Sequence, residues 1–158
     1  NRIHILSNKV IATNRKAWHE YQIHEKCEAG IILQGSEVKS LREGKANIKE
    51  AYVRFFNNEL FIIGMHISEY SHASYSTHKP VHDRKLLLHK KELAKLLRVV
   101  DEKGMTLIPL SMYFKNSRAK VEFGVAKGKK QWDKRHDIAK RDAKRDTDRE
   151  LKKVRTIV

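Results

Sequence analysis

The sequence TLIPLSMYFKNSRAKVEFGV, residues 106–125, contains two runs of alternating apolar and polar side chains around a short polar link. In the second run every other residue from Ala119 to Val125 is apolar, and these side chains would share one face because successive side chains of a strand point to opposite sides. Pro109 has no N–H to donate, so it predicts a free edge or a bulge in the first strand. The stretch therefore predicts two neighbouring strands joined at residues 115–118.

An amphipathic helix is predicted immediately upstream, in LLLHKKELAKLLRVVDEKG, residues 86–104. Gly104 is expected to end this helix, because glycine is common at the C-terminal end of helices. The polar residues 68–85, rich in Ser and His and containing Pro80, predict a long loop before the helix. The apolar side chains of the helix follow the spacing i, i+3, i+4, i+7 and are Leu93, Leu96, Leu97 and Val100.

A hairpin is predicted further upstream, in AYVRFFNNELFIIGMHI, residues 51–67. Its two β-rich runs flank Asn57 and Asn58, and Asn tolerates the positive φ that a tight turn requires. Two adjoining β-strands are therefore expected here.

The segment before this hairpin predicts a strand followed by a short helix. Residues 19–35 contain alternating and then continuous apolar side chains, and Gly35 is expected to close the strand. Residues 36–44, SEVKSLREG, predict a helix with Ser36 as its N-cap. Residues 1–18 are mixed in composition and predict no clear element.

About six short strands with one amphipathic helix predict a mostly β barrel with added α-helices. Oligonucleotide-binding folds are barrels of this kind, and they grip nucleic acid on a curved face with its flanking loops. The fold alone would not decide the function.

The charge of the chain indicates a polyanionic partner. The 158 residues include 34 Lys+Arg against 19 Asp+Glu, a formal net charge of +15. Such an excess raises the free energy of a compact state through self-repulsion, so it usually serves a partner of opposite charge. The single Cys27 excludes an internal disulfide and a cysteine-rich zinc site. With no apolar run near ~20 residues and no visible secretory leader, a cytoplasmic protein without membrane partners is expected.

The basic residues are concentrated in the last fifth of the chain. Residues 127–158 hold thirteen Lys/Arg and six Asp/Glu, a net charge of +7, with few apolar side chains. We therefore predict a barrel body over residues 1–126 and a basic C-terminal tail over residues 127–158. The tail is expected to be disordered when free and helical when bound, since it lacks the apolar area to offset its ordering entropy.

No catalytic constellation is evident, and we predict that the chain is not an enzyme and has no cofactor. His66, His72 and His78 recur every six residues, which fits neither one helix face nor a common metal-ligand spacing. The segment SEVK copies a serine–lysine acylation motif, but four residues match by chance too easily. No metal site is expected.

The tail admits two interpretations. A charge run is usually a solvated, solubilising segment. Here, however, Gly124 and Gly128 allow close approach of the backbone, and Trp132 offers a surface for base stacking, which is worth about 1–3 kcal/mol per base. Stacking on unpaired bases is typical of RNA recognition, so RNA is favoured over duplex DNA.

Four segments together resemble the small protein B (SmpB) family, the bacterial partners of transfer-messenger RNA in the rescue of stalled ribosomes. They are HEY at 19–21, EAGIILQGSEVKSLREGKANI at 28–48, RKLLL at 84–88 and GVAKGKKQWDKR at 124–135. Several runs in the right order make this resemblance far more specific than one short motif.

The resemblance implies an oligonucleotide-binding-type barrel that docks on the elbow of the tRNA-like domain of that RNA. His89 stands where the family commonly has Asn, and it could still donate one hydrogen bond. From the residues alone, Glu28 could instead be a strand-end carboxylate paired with a lysine, His19 a half-buried ring and Leu87 a core side chain. The RNA-binding residues that the resemblance implies are His19, Glu28, Leu87, His89 and Lys120.

For the tail, the resemblance implies entry into the empty message channel of the small ribosomal subunit and folding there as a helix near the decoding centre. The position of Trp132 is often His in relatives, which keeps an aromatic ring. One copy of the chain is expected in the RNA complex. The implied ribosome-binding residues are Lys127, Gly128, Lys129, Lys130, Gln131, Trp132, Asp133, Lys134 and Arg135.

Two other functions stay open at the level of sequence. A structural ribosomal or general RNA-binding protein could use the same barrel and tail without a dedicated RNA. An RNA-processing enzyme could use the loop histidines.

Overall fold

The computed structural model describes residues 9–72 and 77–128, and a closed ring of six antiparallel strands dominates this part of the chain. In chain order the elements are β1 (Val10–Thr13), α1 (Arg15–Glu20), β2 (Tyr21–Ile31), α2 (Gly35–Arg42), β3 (Ala46–Asn47), β4 (Tyr52–Phe56), β5 (Glu59–Ile63), β6 (His66–Ile67), β7 (Arg84–Leu87), α3 (Lys90–Lys103), β8 (Thr106–Lys115) and β9 (Arg118–Gly128).

The ring runs β8–β4–β5–β7–β2–β9 and closes because β9 pairs with β8. Strand β1 pairs with β8 outside the ring, while β3 and β6 form a separate two-stranded sheet. A closed ring leaves no sheet edge within it. The prediction of a mostly β barrel with added helices is confirmed.

The core fills the inside of the ring with alternate side chains from each strand. The other side chains point outward, because the strand period of two sends neighbouring residues to opposite faces. At one end of β8 and β9 these outward side chains, Ile108, Leu110 and Ala126, are buried with Ala17 of α1 in a second, smaller core. The core side chains with the least exposure on β5, β7, β8 and β9 are Leu60, Ile62, Leu86, Met112, Val121 and Phe123.

Both predicted hairpins are confirmed. Asn57 and Asn58 join β4 to β5 with φ of 50° and 61°, and Asn116 and Ser117 join β8 to β9 with φ of 52° and 64°. Turns with two positive φ angles match the right-handed twist of the strands that they connect. The pairing of β8 with β9 also shifts register after Pro109, which is the bulge that the missing N–H predicted.

Two element boundaries were predicted wrongly. The helix expected over residues 86–104 begins at Lys90, because Leu86 pairs with both β5 and β2 as part of β7. The long loop correspondingly ends before Arg84 rather than at Lys85. The helix does end at Gly104, whose φ is 62°.

The short helix also begins differently from the prediction. Its first residue is Gly35, which was expected to close the preceding strand, and its N-cap is Gln34 instead of Ser36. The backbone N–H of Gln34 donates to Oε1 of Glu37 at 3.0 Å, a bond that fixes the first turn.

Two elements near the start of the described chain were not predicted. Strand β1 and helix α1 are held by Asn14 between them: its backbone N–H donates to the carbonyl of Leu110 at 2.8 Å, and its side-chain amide donates to the carbonyl of Pro109 at 3.1 Å. His19 consequently lies in a helix and not in the predicted strand. Because these contacts join residues far apart in the sequence, no local sequence pattern predicts β1 or α1.

A buried ion pair ties α2 to β7. Glu37 and Arg84 both have fully buried side chains, and the guanidinium donates to the carboxylate. Arg84 also donates to the carbonyls of Met65, at 2.7 Å, and Pro80, at 3.1 Å. The pair therefore holds the first residue of β7, and with it the outward side chains of that strand.

The SEVK segment has a structural role, because its Ser36 forms a buried hydrogen bond with His78. Nε2 of His78 lies 2.9 Å from the carbonyl of Ile67, which can only accept, so this nitrogen carries the proton. Nδ1 of His78 then accepts from the Ser36 hydroxyl at 2.8 Å. Ser36 and His78 are buried and pin the loop onto α2.

The proposed division of the chain at residues 126 and 127 stays a prediction. Strand β9 includes Lys127 and Gly128, the first two residues assigned to the tail. Residues 129–158, with the predicted change from disorder to helix, lie outside the described residues.

Candidate nucleic-acid interface

Three neighbouring strands of the ring, β7, β2 and β9, carry most of the predicted RNA-binding residues. Gly30 of β2 pairs with Leu87 of β7 on one side and with Lys120 of β9 on the other. Because Gly30 has no side chain, a trough opens between Leu87 and Lys120. A Cβ at Gly30 would lie 3.5 Å from the Cβ of Leu87, so any larger side chain would begin to fill the trough.

The start of helix α3 completes this trough as a groove of about 710 Å³. His89 is the N-cap of α3, and its carbonyl accepts the N–H of Leu93 at 3.0 Å, which is the first turn of the helix. The groove thus combines apolar side chains, cations, carboxylates and an imidazole, and its lining includes Glu28, Gly30, Leu87, His89, Lys95 and Lys120. Two further carboxylates, Glu25 and Glu92, also line it, and Nζ of Lys95 lies 3.2 Å from Glu25.

Glu28 is held in a fixed position on the outer face of the ring. The hydroxyl of Tyr113 donates to one carboxylate oxygen, and Nζ of Lys115 lies 3.5 Å from the other. The bond from Tyr113, assisted by Lys115 and Lys120, outweighs burial and holds the pKa of Glu28 below its ordinary value of 4.5. Glu28 is therefore an anion at neutral pH, surrounded by donors.

Tyr113 stays protonated beside this anion. Burial, and then the hydrogen bond to Glu28, raise the pKa of its hydroxyl. The interpretation of Glu28 as a carboxylate paired with a lysine is correct, and the lysine is Lys115. Carboxylate oxygens have further lone pairs, so this arrangement still leaves Glu28 able to accept from a partner.

Leu87 is 49% exposed, whereas Leu86 beside it is buried in the core. The interpretation of Leu87 as a core side chain is therefore wrong. Leu87 lies at the wall of the groove, so the exposed half of its side chain can contact a partner that enters the groove.

The structure does not bring His19 to the groove. His19 lies in the last turn of α1, just before β2 begins at Tyr21, and it is half-buried. Glu28 is seven residue steps beyond Tyr21 on β2, which is about 23 Å along a strand. Gly128 pairs with Tyr21, so His19 lies where the tail leaves the ring.

Sequence reasoning missed four members of this surface: Gly30, Lys95, Tyr113 and Lys115. Tyr113 could have been found, because it alternates with the apolar Met112 and therefore points outward from the ring. Its pairing with Lys120 is a matter of register, which the sequence pattern does not fix.

The described residues include no cluster of three or more His, Cys, Asp or Glu that could hold a metal ion. Of the three histidines that recur every six residues, His66 and His72 are exposed and His78 is buried against α2. None of the helices in the described ranges combines the length and the apolar character that crossing a membrane requires.

The chain is similar to proteins of known family. The family model described as "SmpB protein" matches residues 11–153. A protein named "SsrA-binding protein" from Acetivibrio thermocellus is 55% identical over 144 residues, which cover 91% of this chain and 94% of that protein. A protein of the same name from Clostridium tetani is 53% identical over 146 residues, 92% of this chain and 94% of the relative.

A solved structure is also similar. It is described as "tmRNA-SmpB: a journey to the center of the bacterial ribosome", and its matching chain has 46% identity and a TM-score of 0.62. The match covers 79% of this chain and 86% of that one.

Proposed function

Because this chain belongs to the SmpB protein family, we propose that it binds transfer-messenger RNA and delivers it to stalled ribosomes in trans-translation. The observation that carries the proposal is the groove on β7, β2 and β9, where Glu28, Leu87, His89 and Lys120 converge. The tRNA-like domain of the RNA is the part that this groove would hold.

The groove offers one contact for each part of a nucleotide. Lys120 supplies positive charge for phosphates, and Leu87 supplies an apolar surface for a ribose or a base. Glu28 repels phosphate, so its value lies in accepting from a base amino group or a 2′-hydroxyl. His89 can donate one hydrogen bond from its ring. These side chains would therefore attract RNA by charge and also distinguish one RNA from another by specific contacts.

The tail is proposed as the ribosome-binding part. Its cations, from Lys127 to Arg135, suit the phosphates of the message channel, and Trp132 suits stacking on a base near the decoding centre. The position of Gly128 supports these separate roles, since it pairs with Tyr21 at the end of β2 opposite to Glu28 and the groove. His19 is proposed as an RNA contact at this end of β2.

The proposed role is binding rather than catalysis. It needs one copy of the chain per RNA, and it places the protein in the cytoplasm with the ribosomes. The rival function of a general RNA-binding protein differs in one measurable property: it predicts no preference for transfer-messenger RNA over bulk transfer RNA.

The substitution Glu28→Lys is expected to lower the affinity for transfer-messenger RNA about tenfold, although it makes the protein more positive. It would remove the acceptor for Tyr113 and place a third cation beside Lys115 and Lys120. Hydrogen bonds to charged groups contribute about 1.5–3 kcal/mol, more than the gain from one added charge. Filter binding or fluorescence titration at fixed salt measures the effect.

The matched control is Glu43→Lys, which makes the same charge change at an exposed residue whose partner is Lys45, 3.0 Å away. If attraction alone governed binding, both variants would bind more tightly and with a steeper dependence on salt. Tighter binding of transfer-messenger RNA by Glu28→Lys would contradict the recognition role of Glu28.

A further inference from the structure

The outer face of the β4–β5 hairpin carries large side chains that the core does not use. Phe56 is 67% exposed and Tyr52 is 46% exposed, although both belong to a regular strand. Val53, between them on β4, points inward and is buried. We call this outward set the aromatic face, and its members are Tyr52, Arg54, Phe56, Glu59, Phe61 and Ile63.

The aromatic face is ordered by cross-strand pairs. Arg54 lies opposite Phe61, and Tyr52 lies opposite Ile63. Phe56 lies opposite Glu59, whose carboxylate is paired with Lys85 of β7. The rings of Phe56 and Phe61 meet edge to face, with centroids 6.4 Å apart and planes at 72°. Phe56 is the more exposed partner of this pair, and Arg54 lies two residues before it on the same face of β4.

The aromatic face is continuous with the groove. Phe61 pairs with Lys85 of β7, and Nζ of Lys85 lies 3.2 Å from Glu59 of β5. The next outward residue of β7 is Leu87, which lines the groove. Two strand spacings, about 10 Å, separate β7 from β4, so a nucleic acid in the groove reaches the aromatic face within one or two nucleotides.

We propose that the aromatic face binds unpaired bases of the same RNA that occupies the groove, with Phe56 as the stacking platform and Arg54 as the phosphate contact. Proteins that bind single-stranded nucleic acid combine aromatic side chains, on which bases stack, with basic side chains that contact the phosphates. A second copy of this chain is disfavoured as the occupant, because each copy carries a net charge of +15. The inference rests on the proposed function, since it needs an RNA in the groove.

The test compares three changes at one position with transfer-messenger RNA as the probe. Phe56→Ala removes the ring and should weaken binding about fivefold to a hundredfold. Phe56→Leu keeps apolar area without a flat π surface and should be nearly as weak, whereas Phe56→Tyr should bind like the unchanged protein. Val10→Ala is the control, since it truncates an apolar side chain of similar exposure, 59%, on β1 outside the ring.

The substitution Lys120→Ala, measured alongside, separates this inference from the proposed function. An unchanged protein that binds transfer-messenger RNA no better than transfer RNA overturns both. Selective binding that Lys120→Ala weakens and Phe56→Ala does not weaken overturns the inference alone. Weak binding by Phe56→Ala with full binding by Phe56→Leu would show an apolar contact with the RNA that needs no flat ring, and would overturn stacking.

Discussion

Removal of residues 129–158 is expected to abolish ribosome rescue while leaving the affinity for transfer-messenger RNA largely unchanged. The truncation is placed after Gly128 because β9 runs to that residue and pairs there with Tyr21. Residues 1–128 keep the groove and twenty-two Lys/Arg against thirteen Asp/Glu, a net charge of +9. The RNA is therefore still held, but the segment proposed for the message channel is gone.

Three measurements on the truncated chain check this expectation: thermal unfolding, affinity for transfer-messenger RNA, and peptidyl transfer on ribosomes stalled without a codon in the decoding site. A control chain of full length carries Glu in place of four tail cations, and it should also fail in rescue. These cations are Lys129, Lys130, Lys134 and Arg135. Full rescue by the truncated chain would refute the role of the tail, and loss of RNA binding with an intact fold would refute the independence of the body.

The substitution Glu37→Gln is expected to lower the free energy of unfolding by about 3–5 kcal/mol, because it leaves the Arg84 guanidinium buried without its counter-charge. For a domain of this size the unfolding midpoint should fall on the order of 10–20 °C. Exposed ion pairs contribute at most about 1 kcal/mol, so Glu43→Gln, which breaks the surface pair with Lys45, serves as the control. Equal midpoints for the two variants would contradict a stabilising buried pair.

The pH dependence of unfolding gives this prediction a second readout. Burial opposes ionisation of Glu37, but the N–H of Gln34 and the Arg84 guanidinium outweigh it and hold the pKa of the carboxyl below its ordinary value of 4.5. Such a group stabilises the fold above pH 4.5, and the contribution is lost as the pH falls toward the lowered pKa. The unchanged protein should therefore lose stability in this acid range by a component that Glu37→Gln lacks.

The sequence predicts those parts of the fold that depend on local pattern. The turns at Asn57 and Asn116, the bulge after Pro109 and the end of α3 at Gly104 each follow from the backbone preference of one or two residues. Leu86 shows the limit of this reasoning. An apolar run beside a helical pattern fits either element, and only its pairing with β5 and β2 places Leu86 in a strand.

The groove is less predictable than the barrel, because it depends on register. Glu28, Leu87 and Lys120 are far apart in sequence. Among the sequence arguments, only the resemblance to a family predicted that they belong to one site. The trough at Gly30 and the hydrogen bond from Tyr113 to Glu28 depend on how neighbouring strands pair. No single segment of the sequence predicts either of them. The buried pair of Glu37 and Arg84 is of the same kind, since charged residues usually lie at the surface.

Competition between transfer-messenger RNA and bulk transfer RNA for the protein at moderate salt measures whether the chain has a dedicated RNA partner. Transfer-messenger RNA is expected to displace transfer RNA at concentrations at least about tenfold lower than the reverse, and Lys120→Ala is expected to weaken binding of the preferred RNA. Equal affinity for the two RNAs would contradict a dedicated partner and would favour a general RNA-binding protein.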